Sequence, residues 1–392
     1  MATRKAAFRQ SNVIGIVAGE PSGDLLGAHL IRALKAQRPD LRFVGIAGPR
    51  MEAAGAESLF PMEKLAVRGY VEVVRHYWEI AGIRRRLRDH FLQTPPAAFI
   101  GVDAPDFNLG LEIDLKRAGI PTVQYVAPAV WAWRRERVQT VKHAVSTLLT
   151  LFPFEARIFE KEGVSVRYVG HPLADMLEEL PPIEAVREEL RIAAHIPVVA
   201  MLPGSRVSEL ENMAELFIRT AVKLDEAIPG IRILVPFASR TTKELFETAL
   251  AKVSPEELNL TLMIGHSLEA MAAANAVLVA SGTATLEAAL LKRPMVITYK
   301  VSRLSYWVLR RRAYQPFLGL PNILAGEQIV PELVQDAATP DALAQALLKW
   351  LQDEEACEAL DARFEAMRRA LRQNTAEKAA AAVIPLLPRA RA

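Results

Sequence analysis

Short runs of apolar, largely β-branched residues alternate with longer amphipathic segments from one end of this chain to the other. In the first half, Val13–Ala18, Phe43–Ala47, Ala98–Val102, Thr122–Tyr125, Thr147–Leu151 and Val166–Val169 read as buried strands, with helical patterns such as Leu25–Gln37 and Leu109–Lys116 between them. The second half repeats the alternation with Val198–Leu202, Ile231–Pro236, Leu260–Ile264, Ala276–Ala280 and Met295–Thr298. A strand that is apolar at successive positions is covered on both faces, as in a parallel sheet flanked by helices. The pattern therefore predicts an α/β protein of two Rossmann-like domains that face each other across a cleft.

The expected boundaries are an N-terminal domain over 1–177, a connector over 178–197 that carries Pro181, Pro182 and Pro197, a C-terminal domain over 198–350, and helices over 351–392. Whether those last helices return to the first domain is left open.

A chain of 392 residues is longer than one hydrophobic core usually supports, and 51% hydrophobic residues supply material for two. A single cysteine, Cys357, excludes an intramolecular disulfide framework and suits a reducing compartment. The segment Met1–Gln10 is short and basic and lacks an apolar core, so no secretory signal is expected. The most apolar window, Ala270–Leu286, is interrupted by Asn275, Ser281 and Gly282, so no membrane-spanning helix is expected either. The net charge of +3 does not point to nucleic acid. It is clustered, however, at Arg84, Arg85, Arg86 and Arg88, at Arg134, Arg135 and Arg137, and at Arg310, Arg311 and Arg312. Such clusters suit phosphate groups or an anionic membrane surface, although a solvated helix face is the commoner meaning of any one of them.

Ligands of open α/β sheets bind beyond the carboxyl ends of the strands, so the residues that follow each strand carry the chemistry. Val198–Leu202 runs into Pro203-Gly204-Ser205-Arg206, followed by Ser208 and Glu211 at capping-box spacing. Gly204 permits close backbone approach, and Arg206 offers a guanidinium fork to phosphate oxygens. Ala276–Ala280 runs into Ser281-Gly282-Thr283-Ala284-Thr285-Leu286-Glu287, small and hydroxyl residues whose N–H groups can hold an anion, with Glu287 placed for a ribose diol. Each loop alone reads as an ordinary strand-to-helix turn; the two together favour a diphosphate site, to which Gly265 after Leu260–Ile264 is added. Neither a Walker A loop nor a G-x-G-x-x-G fingerprint occurs.

The first half differs. After Val13–Ala18 come Gly19, Glu20, Pro21, Ser22, Gly23 and Asp24, an acidic loop that would repel a diphosphate and fits a hydroxyl-bearing substrate. After Ala98–Val102 comes Asp103, which reads equally as a turn residue or as a carboxylate at a strand end that can serve as a general base; Asp106 reads as a helix N-cap. His171 reads as a packed or hinge residue, and Trp131, Trp133 and Tyr125 as wall or core. The seven histidines show no metal-ligand spacing, so no metal and no cofactor are expected. In Leu65–Phe91, a helical reading puts Val73, Tyr77, Ile80, Leu87 and Phe91 on one stripe, with Val71, Val74 and Trp78 beside it and Arg84, Arg85 and Arg86 following. Such a stripe is usually core; beside a basic cluster it also fits a membrane-surface element or an acyl-chain site. Ser305–Arg312 repeats the theme.

These loops resemble the lipid-A-disaccharide synthase family over nearly the whole chain. The resemblance rests on Ala18–Asp24, Gly101–Asn108, Tyr125–Arg134, Phe152–Glu155, Leu202–Arg206, Ser281–Glu287 and Leu320–Ala325. It implies the GT-B glycosyltransferase fold and an inverting transfer from UDP-2,3-diacylglucosamine to 2,3-diacylglucosamine 1-phosphate, giving a β(1→6) disaccharide and UDP without a metal. It also implies attachment to the cytoplasmic face of the inner membrane; a homo-oligomer is left open. By the resemblance, Asp103 is the base, Glu20, Ser22 and Asp24 form the acidic loop, Arg206, Ser281, Gly282, Thr283, Ala284 and Glu287 hold UDP, and Asn322 matters for activity. Glu20 remains a rival for the base. A departure at Val67–Glu72, where Arg68 stands for an expected methionine and Tyr70 for a smaller residue, bears on acyl-chain preference. The rival readings are a UDP-sugar epimerase on the same fold and a non-catalytic lipid or nucleotide-sugar carrier.

Overall fold

The structure is a computed structural model that describes residues 11–65, 70–131, 136–177, 182–253, 258–302, 306 and 315–388, with the backbone alone for 70–77. Among the described residues the chain forms two compact units, Met1–Asp175 with Leu371–Ala392, and Met176–Ala370.

The first unit is built on a seven-stranded parallel sheet. Its strands are β1 (Val13–Ala18), β2 (Arg42–Ile46), β3 (Ala56–Ser58), β4 (Ala98–Val102), β5 (Thr122–Tyr125), β6 (Thr147–Thr150) and β7 (Val166–Tyr168). They lie in the order β3-β2-β1-β4-β5-β6-β7. The second unit holds β8 (Val198–Leu202), β9 (Arg232–Phe237), β10 (Leu260–Ile264), β11 (Ala276–Ala280), β12 (Met295–Tyr299) and β13 (Glu332–Val334), in the order β10-β9-β8-β11-β12-β13. Every residue of β4, β8 and β11 is buried, which is why these strands read as unbroken apolar runs. The second core is closed by Leu210, Phe217, Leu224, Phe246 and Leu347 against the faces of that sheet.

In each sheet the strand order reverses once, between β1 and β4 and between β8 and β11. At a reversal the flanking loops part to opposite faces and leave a crevice at the carboxyl ends, the place where doubly wound sheets bind ligands. The four loops singled out from the sequence are the four that leave β1, β4, β8 and β11.

The edges of both units differ in detail from expectation. The connector contains the helix Ile183–Glu189, which groups with the second unit: Arg187 donates Nε to Ala273 O at 2.9 Å and Nη2 to Asn275 Oδ1 at 2.7 Å. The helix Glu354–Leu371 runs along the second unit to its last residues, whereas Thr375–Val383 packs on the helix Pro21–Gln37 of the first. Asp175 fixes that return by accepting the N–H groups of Gln373, Asn374 and Thr375 at 3.0, 3.1 and 2.7 Å.

Candidate functional site

In the second unit, Gly204, Ser205, Arg206, Gly265, Ser281, Gly282, Thr283, Ala284 and Glu287 line one cavity of ≈ 400 Å³. The strands supply its floor: the loops after β8, β9, β10 and β11 all open on it. Gly204 sits at φ +123°, and a Cβ there would fall 2.7 Å from Glu209 Cβ, so no other residue suits this turn. The helix that follows begins at Val207, and Glu209 reaches back to accept the N–H groups of Ser205 and Arg206 at 2.9 and 3.1 Å. The capping carboxylate is therefore Glu209, two residues earlier than the Ser208/Glu211 spacing suggested. The Arg206 side chain is 71% exposed, with only a long 3.7 Å contact to Glu209, which leaves its fork available to a ligand.

On the opposite lip, Ser281 donates Oγ to Leu318 O at 3.0 Å. The N–H groups of Gly282, Thr283 and Ala284 make no hydrogen bond to the described residues, while Thr285, Leu286 and Glu287 already donate to the carbonyls of Gly282 and Thr283. A Cβ added to Gly282 would meet nothing within 4 Å, so the space above it is open. Arg206 and this turn thus present a guanidinium and unpaired N–H donors to one cavity, the chemistry an anionic diphosphate requires. Burial pushes the Glu287 carboxyl up, and burial with the nearby Glu209 charge pushes Tyr299 up. Glu209, Tyr299, Phe237 and Ser267 also line the cavity and were not anticipated, although Phe237 ends β9 and Tyr299 ends β12.

Two expected donor-side residues face elsewhere. Thr285 is fully buried, donating to Gly282 O at 2.8 Å and accepting from Leu320 N at 3.3 Å. Asn322 is also fully buried, and both amide ends are occupied: Nδ2 donates to Val330 O and Glu332 Oε1, and Oδ1 accepts from Ile329 N and Val330 N. It braces the cavity without lining it.

In the first unit, Ser22 donates Oγ to Asp103 Oδ2 at 3.3 Å, joining the loops after β1 and β4. Asp103 and Ala104 adopt φ 55° and 41°, a strained left-handed pair of non-glycine residues of the kind that clusters at functional sites. The turn is held from three sides. Asp103 N donates to Tyr125 O at 2.8 Å, and its carbonyl accepts from Asn108 Nδ2 and Gln124 Nε2, both at 2.9 Å. Gly19 and Gly23 let the two loops close up: a Cβ on Gly19 would lie 2.8 Å from Ala104 Cβ, and one on Gly23 3.1 Å from Val102 O. Glu20 is the residue from which the helix Pro21–Gln37 starts.

Asp24 departs from the expected acceptor loop. It is 3% exposed, and its two oxygens accept Arg50 N and Met51 N at 3.0 Å each, capping the short helix Pro49–Ala53 from within. Asp106 is not the N-cap of Pro105–Arg117, a position taken by Ala104, and pairs with Arg137. His171 is packed as expected, 8% exposed and stacked on Phe152 with ring centroids 5.4 Å apart. Trp131 is half-buried against Phe154 and donates Nε1 to the buried Glu155 at 3.1 Å.

On the helix Tyr70–Gln93, Ile83, Leu87 and Phe91 are buried, Trp78 is 81% exposed, Arg85 and Arg86 are exposed, and Arg84 lies against Gly110. The side chains of Val71, Val73, Val74 and Tyr77 lie outside the described residues, as do Arg134, Arg135, Trp133, Arg68 and Arg310–Arg312. No helix among the described residues is long and apolar enough to cross a membrane. Among the same residues, no group of three or more His, Cys, Asp or Glu is placed to hold a metal ion.

Residues 14–384 match the family described as lipid-A-disaccharide synthetase. A lipid-A-disaccharide synthase from Methylobacillus flagellatus is 56% identical over 95% of this chain and 99% of its own length, and one from Azoarcus sp. is 55% identical over 95% and 96%. Among solved structures, Anabaena HepE in complex with UDP and glucose is similar with a TM-score of 0.58 at 14% identity, over 96% of this chain and 100% of that one. A UDP-GlcNAc 2-epimerase from Neisseria meningitidis bound to UDP-GlcNAc gives a TM-score of 0.62 at 11% identity, over 95% and 98%. The structural likenesses establish the GT-B fold and do not separate transferase from epimerase; the sequence relatives do.

Proposed function

Because the chain belongs to the lipid-A-disaccharide synthase family of glycosyltransferases, we propose that its second unit holds a UDP-sugar donor and its first unit activates a lipid-linked acceptor. Synthesis of the lipid A disaccharide follows from that membership. The finer assignment is UDP-2,3-diacylglucosamine as donor and 2,3-diacylglucosamine 1-phosphate as acceptor.

The acceptor's hydroxyl oxygen bonds to the anomeric carbon as the bond from that carbon to the UDP oxygen breaks, with inversion. Asp103 takes the hydroxyl proton and UDP leaves with the electron pair. Arg206 and the N–H groups of Gly282–Ala284 meet the charge that grows on the leaving diphosphate; preorganised groups of this kind usually supply the largest share of a rate enhancement. On this reading no metal or cofactor is needed, and turnover persists in excess chelator. Asp103 is favoured over Glu20 because the surrounding structure holds its strained backbone from three sides and gives its carboxylate an oriented donor in Ser22.

Trp78 and Arg85, exposed on one helix, support a peripheral contact with an anionic membrane, taken to be the cytoplasmic face of the inner membrane. Cosedimentation with anionic but not neutral vesicles, lost in Trp78→Ala with Arg85→Ala, checks it.

The observation that carries the donor assignment is the single cavity shared by Arg206 and the Ser281–Ala284 turn. The test incubates the protein with both lipid substrates and looks for the disaccharide by mass spectrometry. Asp103→Asn is expected to lower turnover by about 10²–10⁴ while UDP affinity by calorimetry stays the same. Wild-type turnover in that variant removes Asp103 from the role, and unchanged UDP affinity in Arg206→Ala removes Arg206 from the donor site.

A further inference from the structure

Beneath the Asp103 turn lies a set of buried polar side chains that no step above uses. Asn108 and Glu112, one helical turn apart on Pro105–Arg117, and Gln124 on β5 are all 0% exposed. They converge on Gly101 of β4: a Cβ there would fall 2.5 Å from Glu112 Oε1, 2.7 Å from Gln124 Oε1 and 2.8 Å from Asn108 Cβ.

The orientation of the Gln124 amide follows from what it donates. Nε2 gives one hydrogen to Asp103 O at 2.9 Å and one to Val126 O at 3.1 Å. Val126 has φ 79°, a genuine outlier for a β-branched residue, and Asp103 has φ 55°. One amide therefore clamps two strained residues, and its oxygen is left beside Gly101, where Glu112 Oε1 also lies. Asn108 spends Nδ2 on Asp103 O in the same way. What remains is Asn108 Oδ1, Gln124 Oε1 and both oxygens of Glu112, all buried and without a hydrogen-bond partner among the described residues. A cluster of acceptors alone is repulsive and pays the full cost of desolvation. One proton on Glu112 converts it into a donor–acceptor set.

We propose that Glu112 is a positioning residue, kept as the neutral acid, whose O–H donates to Gln124 Oε1 and thereby locks the amide that holds the Asp103 turn. Burial pushes its carboxyl up to about 8, against the opposing pull of Lys116. Other charges on the surrounding elements address this helix elsewhere: Arg84 lies at Gly110, Arg88 contacts Asp114 at 3.8 Å, and Lys116 itself donates to Lys142 O at 3.1 Å. The inference rests on Asp103 being the base.

The experiment compares Asp103→Asn, Glu112→Gln and Glu112→Leu in steady-state kinetics and UDP calorimetry, with denaturant stability followed between pH 5 and 9. Glu112→Leu is expected to lose ~10–100-fold in kcat, the scale of a misplaced catalytic group, with UDP affinity unchanged. Glu112→Gln, whose NH2 can donate to the same oxygen, restores most of kcat. Folded wild-type protein keeps a proton on Glu112 that the unfolded chain releases above about 4.5, so this group's contribution to stability falls between about pH 4.5 and 8; Glu112→Gln removes that contribution and leaves those of Glu155 and His171. Wild-type kcat in Glu112→Leu, or no rescue by Glu112→Gln, overturns the proposal. If Glu112→Leu does not fold, the pH slope decides: the same slope in wild type and Glu112→Gln overturns it. Full turnover in Asp103→Asn sinks the base assignment instead, whatever the Glu112 variants do.

Discussion

The Ser22 hydroxyl donates to Asp103 Oδ2 across 3.3 Å, so the helix that leaves β1 touches the turn that leaves β4 at the point where the strand order reverses. Both residues are partly open to solvent, and the bond is long, which fits a group that orients a carboxylate without neutralising it.

Ser22→Ala is accordingly expected to lower kcat modestly, by about tenfold, in keeping with a hydrogen bond worth roughly 1–1.5 kcal/mol. Thermal stability and UDP affinity should stay at wild-type values because Ser22 packs against nothing in the core. A drop in stability as large as the drop in kcat would assign Ser22 to the fold instead.

Gly282 is exposed, lacks a positive φ and faces open space. Gly282→Ala is therefore free of strain in the empty protein and should leave Tm unchanged or raise it slightly. The same methyl group would occupy room beside the unpaired N–H groups, where a tightly fitted diphosphate would lie. Overpacking typically costs about 1–3 kcal/mol, so UDP affinity should fall about tenfold or more. Calorimetry that finds no loss would mean the diphosphate does not approach this turn.

His171 makes an acid-sensitive contribution to the stability of the first unit. Burial lowers its pKa to about 4, and its Nδ1 accepts Leu173 N at 3.2 Å, which requires the neutral ring. The unfolded chain takes up a proton near the ordinary 6.5 whereas the folded chain does not. This contribution to stability is thus fully present above about pH 6.5 and is lost as pH falls toward 4, by up to about 3 kcal/mol. His171→Phe keeps a ring against Phe152 without a titrating group, so lowering the pH from 7.5 to 4.5 should shift denaturant stability more favourably in this variant than in wild type, by up to that amount.

Legibility in the sequence followed burial. β1, β4, β8 and β11 have the limits expected from their apolar runs, because central parallel strands permit no polar interruption. β3 and β13 leave no such mark: each has three residues at a sheet edge, and neither carries an apolar run. Glu112 does carry a signal in the sequence: Asn108, Leu111, Glu112 and Leu115 fall at i, i+3, i+4 and i+7 and are all buried, which sets two polar residues on an apolar stripe. Asp24 read as substrate-facing because an acid at a helix start suits the dipole, and nothing local reveals that it caps Pro49–Ala53 instead.

Asn322 and Glu332 are the residues whose roles only three-dimensional contacts explain. Glu332 accepts Leu318 N at 2.8 Å, Gly319 N at 2.9 Å and Asn322 Nδ2 at 2.8 Å, and Leu318 O in turn receives the Ser281 hydroxyl. The chain of bonds runs from the buried amide to the lip of the donor cavity. Glu332→Gln replaces one acceptor oxygen with an NH2 group that cannot receive these N–H donors, so the 318–319 turn should loosen and release Ser281. The expected result is a fall in UDP affinity of about tenfold and a stability loss of about 1 kcal/mol, the usual net worth of one hydrogen bond, because the bond lost is the exposed one from Leu318 N. Asn322→Ala strands more groups and should lose more of both. Because neither residue lines the cavity, a Glu332→Gln protein that binds UDP as tightly as wild type would break the link between this brace and the donor site, while leaving the roles of Arg206 and Gly282 untouched.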